Sequence, residues 1–403
     1  MKINSGHLTY CTNIHSGESW DDHFAALKQN FPGIRQQLAP GKPMGLGLRL
    51  SNKASLELVK TANLELFQQW LIANDTYVFT MNGFPYGDFH QTRVKDQVHA
   101  PDWTTNDRLS YTTRLFDILT VLLPAGMDGG VSTSPLSYKY WFQWPDDARS
   151  AKEAATLNIL KLTEHLVNIH RSTGKMLHLD IEPEPDGLLE NGKEFIDWYE
   201  DHLLQTGTEI FSGLFSISKD EAASLIKAHV RICYDVCHFA ISYEPHAEMF
   251  AKLQEKGIKV GKIQVSAALK SMMDNNAELR AGKAAAFEQF NEPVYLHQVV
   301  ARTVNNGLLR YRDLPEALLD VANNNVTEWR AHFHVPVFEK DFGLLQSTQD
   351  DIIEVLELQK AGVITPHLEV ETYTWEVLSD QLKVPIQQSI IRELEWVLGK
   401  LGI

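Results

Sequence analysis

The sequence predicts an α/β protein whose parallel strands close into a (β/α)8 TIM barrel, with a helical insertion near the C-terminal mouth. Three observations predict it. Strand-like apolar runs alternate with helix-period segments through most of the 403 residues, the rhythm of repeated βα units. No low-complexity segment, short-period repeat or Pro/Gly/Ser-rich linker divides the chain, so 1–403 reads as one domain. Five consecutive strand candidates end in carboxylates, amides or imidazoles, and a parallel barrel gathers such ends on one rim.

In order, the first candidate strand is GHLTYCTNIH (6–15), and an amphipathic stretch begins at Trp20. MGLGLRLS (44–51) precedes the helical SLELVKTANLELFQQWLI. TYVFTMNGF (76–84) is followed by a polar loop to Asp107 and the helix RLSYTTRLFDILTVLL. GGVSTSPLSY (129–138) leads into a long helix over AKEAATLNILKLTEHLVNIHRSTG, with Gly174 as its stop signal. MLHLDIEPEP (176–185), VRICYDVCHFA (230–240), VGKIQVSAAL (260–269), WRAHFHVPVF (329–338) and HLEVETYTW (367–375) complete the set. That makes nine candidates for eight barrel places. GHLTYCTNIH, GGVSTSPL and WRAHFHVPVF are the candidates for a position outside the ring. The stretch 270–325 is too long for a connector, and its runs AAAFEQF and LPEALLDVANN predict an inserted helical lid over one mouth.

Composition narrows the function classes. Hydrophobic residues make up 44% and charged residues 22%, as in ordinary soluble domains. The net charge of −15 opposes attraction to nucleic acid or anionic lipid. No run approaches the roughly 18 apolar residues of a membrane span. The N-terminal MKINSGHLTYCTN lacks an apolar signal core, which predicts a cytoplasmic protein. Cys11, Cys233 and Cys237 are odd in number and lack zinc-site spacing, so a disulfide framework is not expected. The expected partner is a small-molecule metabolite; oligomeric state is not readable.

The strand ends carry the chemistry. Glu182 and Glu184 follow LHLDI, and Asp235 and His238 sit in YDVCHF. Gln264 and Ser266 lie in KIQVS, His332 and His334 in AHFHV, and Glu369 and Glu371 in LEVET. Residues two apart share a strand face, so His332 and His334 point together, as do Glu369 and Glu371. Carboxylates directed into a barrel need their charge compensated, most simply by a divalent cation. Oxygen-rich ligation favours Mn²⁺ or Mg²⁺; more histidine tilts towards Zn²⁺. Each motif also has a plain reading. A lone DxxH serves as a turn acid beside a satisfied histidine, HFH histidines bond to backbone, EPEP forms a solvated loop, and LEVET lies on an edge strand. Cys233 and Cys237 read as small core residues, and Trp141, Trp144, Trp198, Trp329 and Trp375 as packing. The joint pattern over five strands favours the basin.

The order Glu (IEPEP), Asp-x-x-His (YDVCHFA), a polar residue, His-x-His and a final Glu (VET) resembles the xylose isomerase-like TIM-barrel superfamily of sugar isomerases, ketose 3-epimerases and metal-dependent apurinic endonucleases. YDVCHFA is especially similar to the endonuclease branch. The whole chain, including HLTYCTNIHSGESW, PMGLGLRLS, FTMNGFPYGDFH and GGVSTSPLSYKYW, resembles the narrower EboE family, metabolite-traffic proteins with a sugar-isomerase-like barrel.

The resemblance implies Glu182, Asp235 and Glu371 as carboxylate metal ligands, with Gln264 where relatives commonly carry a histidine. It implies Glu182 and Glu371 as the acid/base pair that moves a proton through an enediolate. His238 and His334 match positions that bind a further metal or orient substrate, and His332, Glu369, Asn82 and His15 join them as expected substrate contacts. Which of His7, Asn13 and His90 also reach the basin stays open. Two other functions stand beside this one: a metabolite carrier without turnover, and a phosphoesterase of the endonuclease type. The acidic balance, the missing basic clusters and Gln264 in place of histidine count against the last.

Overall fold

The computed structural model describes residues 1–87, 94–374 and 385–403. Its strands are β1 (Lys2–Ile3), β2 (Gly6–Tyr10), β3 (Met44–Arg49), β4 (Thr76–Asn82), β5 (Gly129–Thr133), β6 (Leu177–Ile181), β7 (Val230–Asp235) and β8 (Val260–Val265). They continue as β9 (Ala267–Met272), β10 (Val299–Thr303), β11 (Leu308–Tyr311), β12 (Val326–Val335), β13 (Asp341–Phe342), β14 (Leu345–Ser347) and β15 (His367–Val370). Parallel ladders join β2-β15-β8-β7-β6-β5-β4-β3, with β1 antiparallel on β2. A parallel bridge between Cys11 and Gly47 closes the ring, giving the (β/α)8 barrel.

Side chains stitch that last seam. Thr9 Oγ1 donates to the Gly45 carbonyl at 2.9 Å and accepts from Gly47 N at 3.1 Å, and Thr12 Oγ1 accepts from Arg49 N at 2.8 Å. The close approach needs a glycine. A Cβ on Gly47 would stand 1.9 Å from Glu369 Oε1 and 2.7 Å from the Tyr10 carbonyl. Gly47→Ala is therefore expected to cost about 1–3 kcal/mol through overpacking. An unchanged urea midpoint would show that the seam has room to spare.

Local signals account for the helices between strands. The helix Pro145–Thr173 starts with proline at its first position and acids in the first turn, and ends at Gly174, whose φ is 74°. The helix Lys219–His229 opens with a capping box between Ser218 and Glu221. On the strands, Leu177, Leu179 and Ile181 face this helical layer and are fully buried. Trp198 and Trp329 are core, as expected, whereas Trp144 is exposed and not a packing residue. Among the described residues, no helix is long and apolar enough to cross a membrane.

Of the three candidates for a place outside the ring, β12 is the one, so the HFH stretch is not a barrel strand. It belongs to a second, antiparallel sheet ordered β11-β10-β12-β9-β14-β13, inserted between β8 and the helix Gln349–Ala361 that leads to β15. The helical reading of 270–325 is corrected accordingly. Helices Ala277–Glu288 and Leu314–Leu319 are present, but β10 and β11 form a hairpin between them. Its signal is VVARTVNNGLLRY, alternating residues around an Asn-Asn-Gly turn with Asn306 at φ 58°. The strand read over 230–240 also ends early. Asp235 accepts from His238 N at 3.1 Å and caps the helix Val236–Ile241, so the strand gives way to a helix inside YDVCHF.

His229 closes one helix and is fully buried, its Nδ1 2.6 Å from the Leu177 carbonyl. Burial lowers its pKa from 6.5 to about 4. The folded chain thus binds this proton less readily than the unfolded one. Stability is intact above pH 6.5 and falls as pH drops towards about 4, by up to about 1.4 kcal/mol per pH unit. Urea midpoints over this range should be flatter in His229→Gln; identical pH profiles would rule out the contribution.

Candidate metal centre at the barrel mouth

Period-two alternation places columns of polar side chains inside the barrel. β6 continues inward as His178, Asp180 and Glu182, and β7 as Arg231, Cys233 and Asp235. β8 supplies Lys262, Gln264 and Ser266, and β15 supplies His367, Glu369 and Glu371. The last members of these columns meet at the C-terminal mouth, where Glu182, Asp235 and Glu371 bring one carboxylate oxygen each to within 4.8 Å of one another.

Each acid is held differently. Asn13 and Asn82 both donate to Glu371 Oε1 at 2.8 Å, and Gln264 Nε2 donates to its Oε2. Asp235 Oδ1 accepts from Ser266 Oγ at 2.6 Å as well as from His238 N. Asp235 Oδ2 and Glu182 Oε2 are buried without a hydrogen-bond partner. Burial, then the charges of Glu371 and Asp235, push Glu182 well above the carboxylate range. Burial, then Asp235 and Glu369, do the same to Glu371. Three crowded acids with unused oxygens fit a divalent cation, which would remove the repulsion and satisfy the orphan atoms.

The histidines share one orientation. His238 Nδ1 lies 3.0 Å from the Pro183 carbonyl, His332 Nδ1 2.8 Å from Gln298 Oε1, and His334 Nδ1 3.1 Å from the Glu371 carbonyl. Each Nδ1–H therefore donates to an oxygen, and each Nε2 is left as a lone pair. Two of these, on His238 and His332, face each other at 3.2 Å, which calls for a proton or a cation shared with Glu184. His334 Nε2 has no partner, and its pKa is lowered to about 4 by burial, so the ring is neutral. A register shift against β9 between Ala331 and Val335 releases this stretch of β12 from the ladder and lets both rings reach the mouth.

The resulting basin has about 570 Å³ of empty space, its open side included. Glu182, Glu371, Asn82, His238, His332 and His334 line it. Asp235 and Gln264 lie at its floor beneath Glu371, and the Gln264 amide oxygen accepts from Cys233 Sγ instead of facing the acids. Two expected contacts are corrected. Glu369 sits one layer below, where two residues of strand put it, and its Oε2 pairs with Lys262 Nζ at 2.6 Å. His15 turns into the wall, with Nε2 3.0 Å from the Tyr10 hydroxyl, and Asn13 takes the mouth position. His7 lies at the opposite end of the barrel, 2.7 Å from the Tyr77 hydroxyl. His90 and Trp375 fall outside the described residues.

Sequence reasoning did not assign Glu184, Asn13, His99, Tyr295 or Tyr373. Glu184 is buried, not solvated, with oxygens 3.7 Å from His99 Nε2 and 3.8 Å from His332 Nδ1. The rest of the EPEP loop is also buried, because Lys139 reaches Asp186 at 3.3 Å and Glu190 at 2.9 Å. The available signal was the alternation in LHLDIE, which puts His178, Asp180 and Glu182 on one face.

No family model matches this chain, and no curated protein matches it. Solved structures of similar shape include the IolI protein with a bound zinc atom, at 10% identity and TM-score 0.46, covering 98% of each chain. A xylose isomerase-like TIM-barrel protein from Mycobacterium smegmatis in complex with magnesium matches at 13% identity and TM-score 0.46, over 96% of this chain and 90% of its own. A xylose isomerase domain protein from Planctomyces limnophilus matches at 10% identity and TM-score 0.47, over 99% and 97%.

Proposed function

We propose that the chain is a metal-dependent sugar isomerase/epimerase-like enzyme that moves a proton on a small carbohydrate-like metabolite through an enediolate. The supporting observation is the buried trio of Glu182, Asp235 and Glu371 with ligand oxygens within 4.8 Å of one another at the barrel mouth. These three would hold a divalent ion, Mn²⁺ or Mg²⁺ on their oxygen set, with Zn²⁺ as the alternative. When bound, the ion supplies a Lewis acid that polarises the carbonyl beside the reacting carbon.

The chain's own residues do the rest. Glu182, with one oxygen free of partners, takes the proton from the substrate carbon. Glu371, fixed by Asn13, Asn82 and Gln264, returns a proton on the other side. The unpartnered Nε2 lone pair of His334 accepts from a sugar hydroxyl. Phe84, Tyr295 and Tyr373 give the basin an aromatic wall for the C–H faces of the ring. The test is deuterium incorporation from D₂O into a panel of pentoses, hexoses and their phosphates with Mn²⁺ present. Carbon-bound deuterium supports the proposal; bound sugar without exchange gives the carrier reading that the EboE resemblance implies.

Asp235→Asn is expected to lower Mn²⁺ affinity at least about 10-fold. Asparagine keeps the cap on Val236–Ile241, so the loss should appear in binding and not in folding. Unchanged affinity would remove Asp235 from the ligand set.

One observation favours a second reading. The facing nitrogens of His238 and His332 beside Glu184 suit a multi-zinc phosphoesterase. About three zinc ions per chain with phosphodiester hydrolysis would select it over the isomerase.

A further inference from the structure

The opposite, N-terminal end of the barrel carries a group of ligand-type side chains that the proposed chemistry does not use. Asp128 immediately precedes β5, His178 lies in β6, and His367 opens β15. β15 is separated from β6 by β8 and β7, so the group spans the foot of the barrel instead of running along one edge. Glu182 lies four residue steps beyond His178, about 13 Å at 3.3 Å per step, so this group is distinct from the mouth.

The geometry is that of a coordination shell. His367 Nε2 stands 3.2 Å from Asp128 Oδ1, His178 Nε2 stands 3.6 Å from Asp128 Oδ2, and the ligand atoms all fall within 4.8 Å of one another. Tetrahedral zinc with bonds of 2.0–2.1 Å would set its ligand atoms about 3.3 Å apart. Both histidine side chains are buried; His178 Nε2 has no hydrogen-bond partner, while His367 Nε2 has only Asp128 within reach. His178 Nδ1 is 2.6 Å from Asp180 Oδ1, the carboxylate–imidazole arrangement that fixes the tautomer and aims the other nitrogen at a metal. Space for that carboxylate is reserved by glycines: a Cβ on Gly130 or Gly261 would stand 2.3 Å or 1.8 Å from an Asp180 oxygen. Arg231 Nη1 grips Asp128 Oδ2 at 2.9 Å, leaving Oδ1 towards His367. Asp128 is partly exposed in a cleft with Lys259, Val260 and Pro366, which gives an entry path.

We propose that Asp128, His178 and His367 form a structural site for a zinc-class divalent ion that pins opposite walls of the barrel at its foot. Two imidazoles and one carboxylate suit zinc, with the fourth position open to water. The competing account is metal-free: Asp128 accepts hydrogen bonds from both Arg231 and His367.

Co²⁺ and Zn²⁺ binding to the Asp235→Asn/Glu371→Gln/His332→Gln protein tests this with every ligand group at the mouth disabled. The expected result is one equivalent of Co²⁺ with the visible absorption of a four-coordinate ion, and a melting temperature raised by Zn²⁺ and returned by EDTA. Asp128→Asn, which keeps the shape and a contact to Arg231, should lower that affinity at least about tenfold. In the otherwise wild-type chain, the same substitution should remove one bound equivalent and leave the rest. The proposal is overturned if the mouth-disabled protein binds no Co²⁺, or if binding and the Zn²⁺ shift survive Asp128→Asn unchanged. Because the readout is the foot of the barrel, failure here leaves the mouth chemistry standing, and the reverse holds too.

Discussion

Glu371→Gln is expected to lower turnover by about 10²- to 10⁴-fold, the contribution of a positioned acid/base group, while the chain remains folded. The glutamine is isosteric, and its amide oxygen can still accept from Asn13 and Asn82, which lie 2.8 Å from Oε1. Its amide nitrogen would meet the Gln264 amide, which restores a hydrogen bond by turning over, since Cys233 is its other neighbour. Removing one of three crowded acids also relieves the repulsion that pushes Glu182 upward. The fold therefore loses little while the proton relay loses one end. The measurement is the rate of deuterium entry into whichever sugar the wild-type chain exchanges, with a urea midpoint as control. Turnover within about twofold of wild type would end the acid/base assignment. Glu182→Gln should behave alike, and a large difference between the two would show which face of the substrate carbon loses its proton.

The barrel and the acids at its mouth were legible because they rest on local rules. Strand-helix rhythm marks βα units, and ligand-type residues at successive strand ends need only the convergence of a closed ring to become a site. The same logic failed where neighbours in space are not neighbours in rhythm. β12 reads as a barrel strand because AHFHV has the right alternation, and only its pairing with β9 and β10 removes it from the ring. Its histidines still reach the mouth, but from above. Glu369 and Glu371 share a face, as alternation says; what it cannot say is that one layer of depth separates a buried ion pair from an active-site acid. His15 and Asn13 differ by one short 3₁₀ turn, Thr12–Ile14, which sends the asparagine into the basin and the histidine into the wall. The polar columns beneath the mouth were visible in LHLDIE, yet hydrophobic patterning treats an inward Asp180 as an anomaly until Gly130 and Gly261 are seen making room for it.

Lys262→Met is expected to destabilise the chain by about 3–5 kcal/mol, the cost of leaving a buried charge without its partner. Lys262 Nζ and Glu369 Oε2 are 2.6 Å apart with both side chains wholly inaccessible. Burial disfavours the charged ammonium, but the Glu369 carboxylate outweighs it and holds Lys262 above the ordinary lysine range. Methionine matches the length of the lysine stem, so packing is nearly kept and the change isolates the charge. Replacing both partners, as Lys262→Met with Glu369→Leu, should recover most of the loss, because an apolar pair no longer needs compensation. Urea unfolding of the single and double variants checks this, and a single-variant loss under about 1 kcal/mol would show that the pair is replaceable by water or by a proton. The pair also reaches the mouth: the charge on Lys262 lowers the proton affinity of both Glu182 and Glu371. A double variant that regains stability but not metal affinity would therefore assign the lysine a second role, as the fixed cation that eases ionisation of the acids above it.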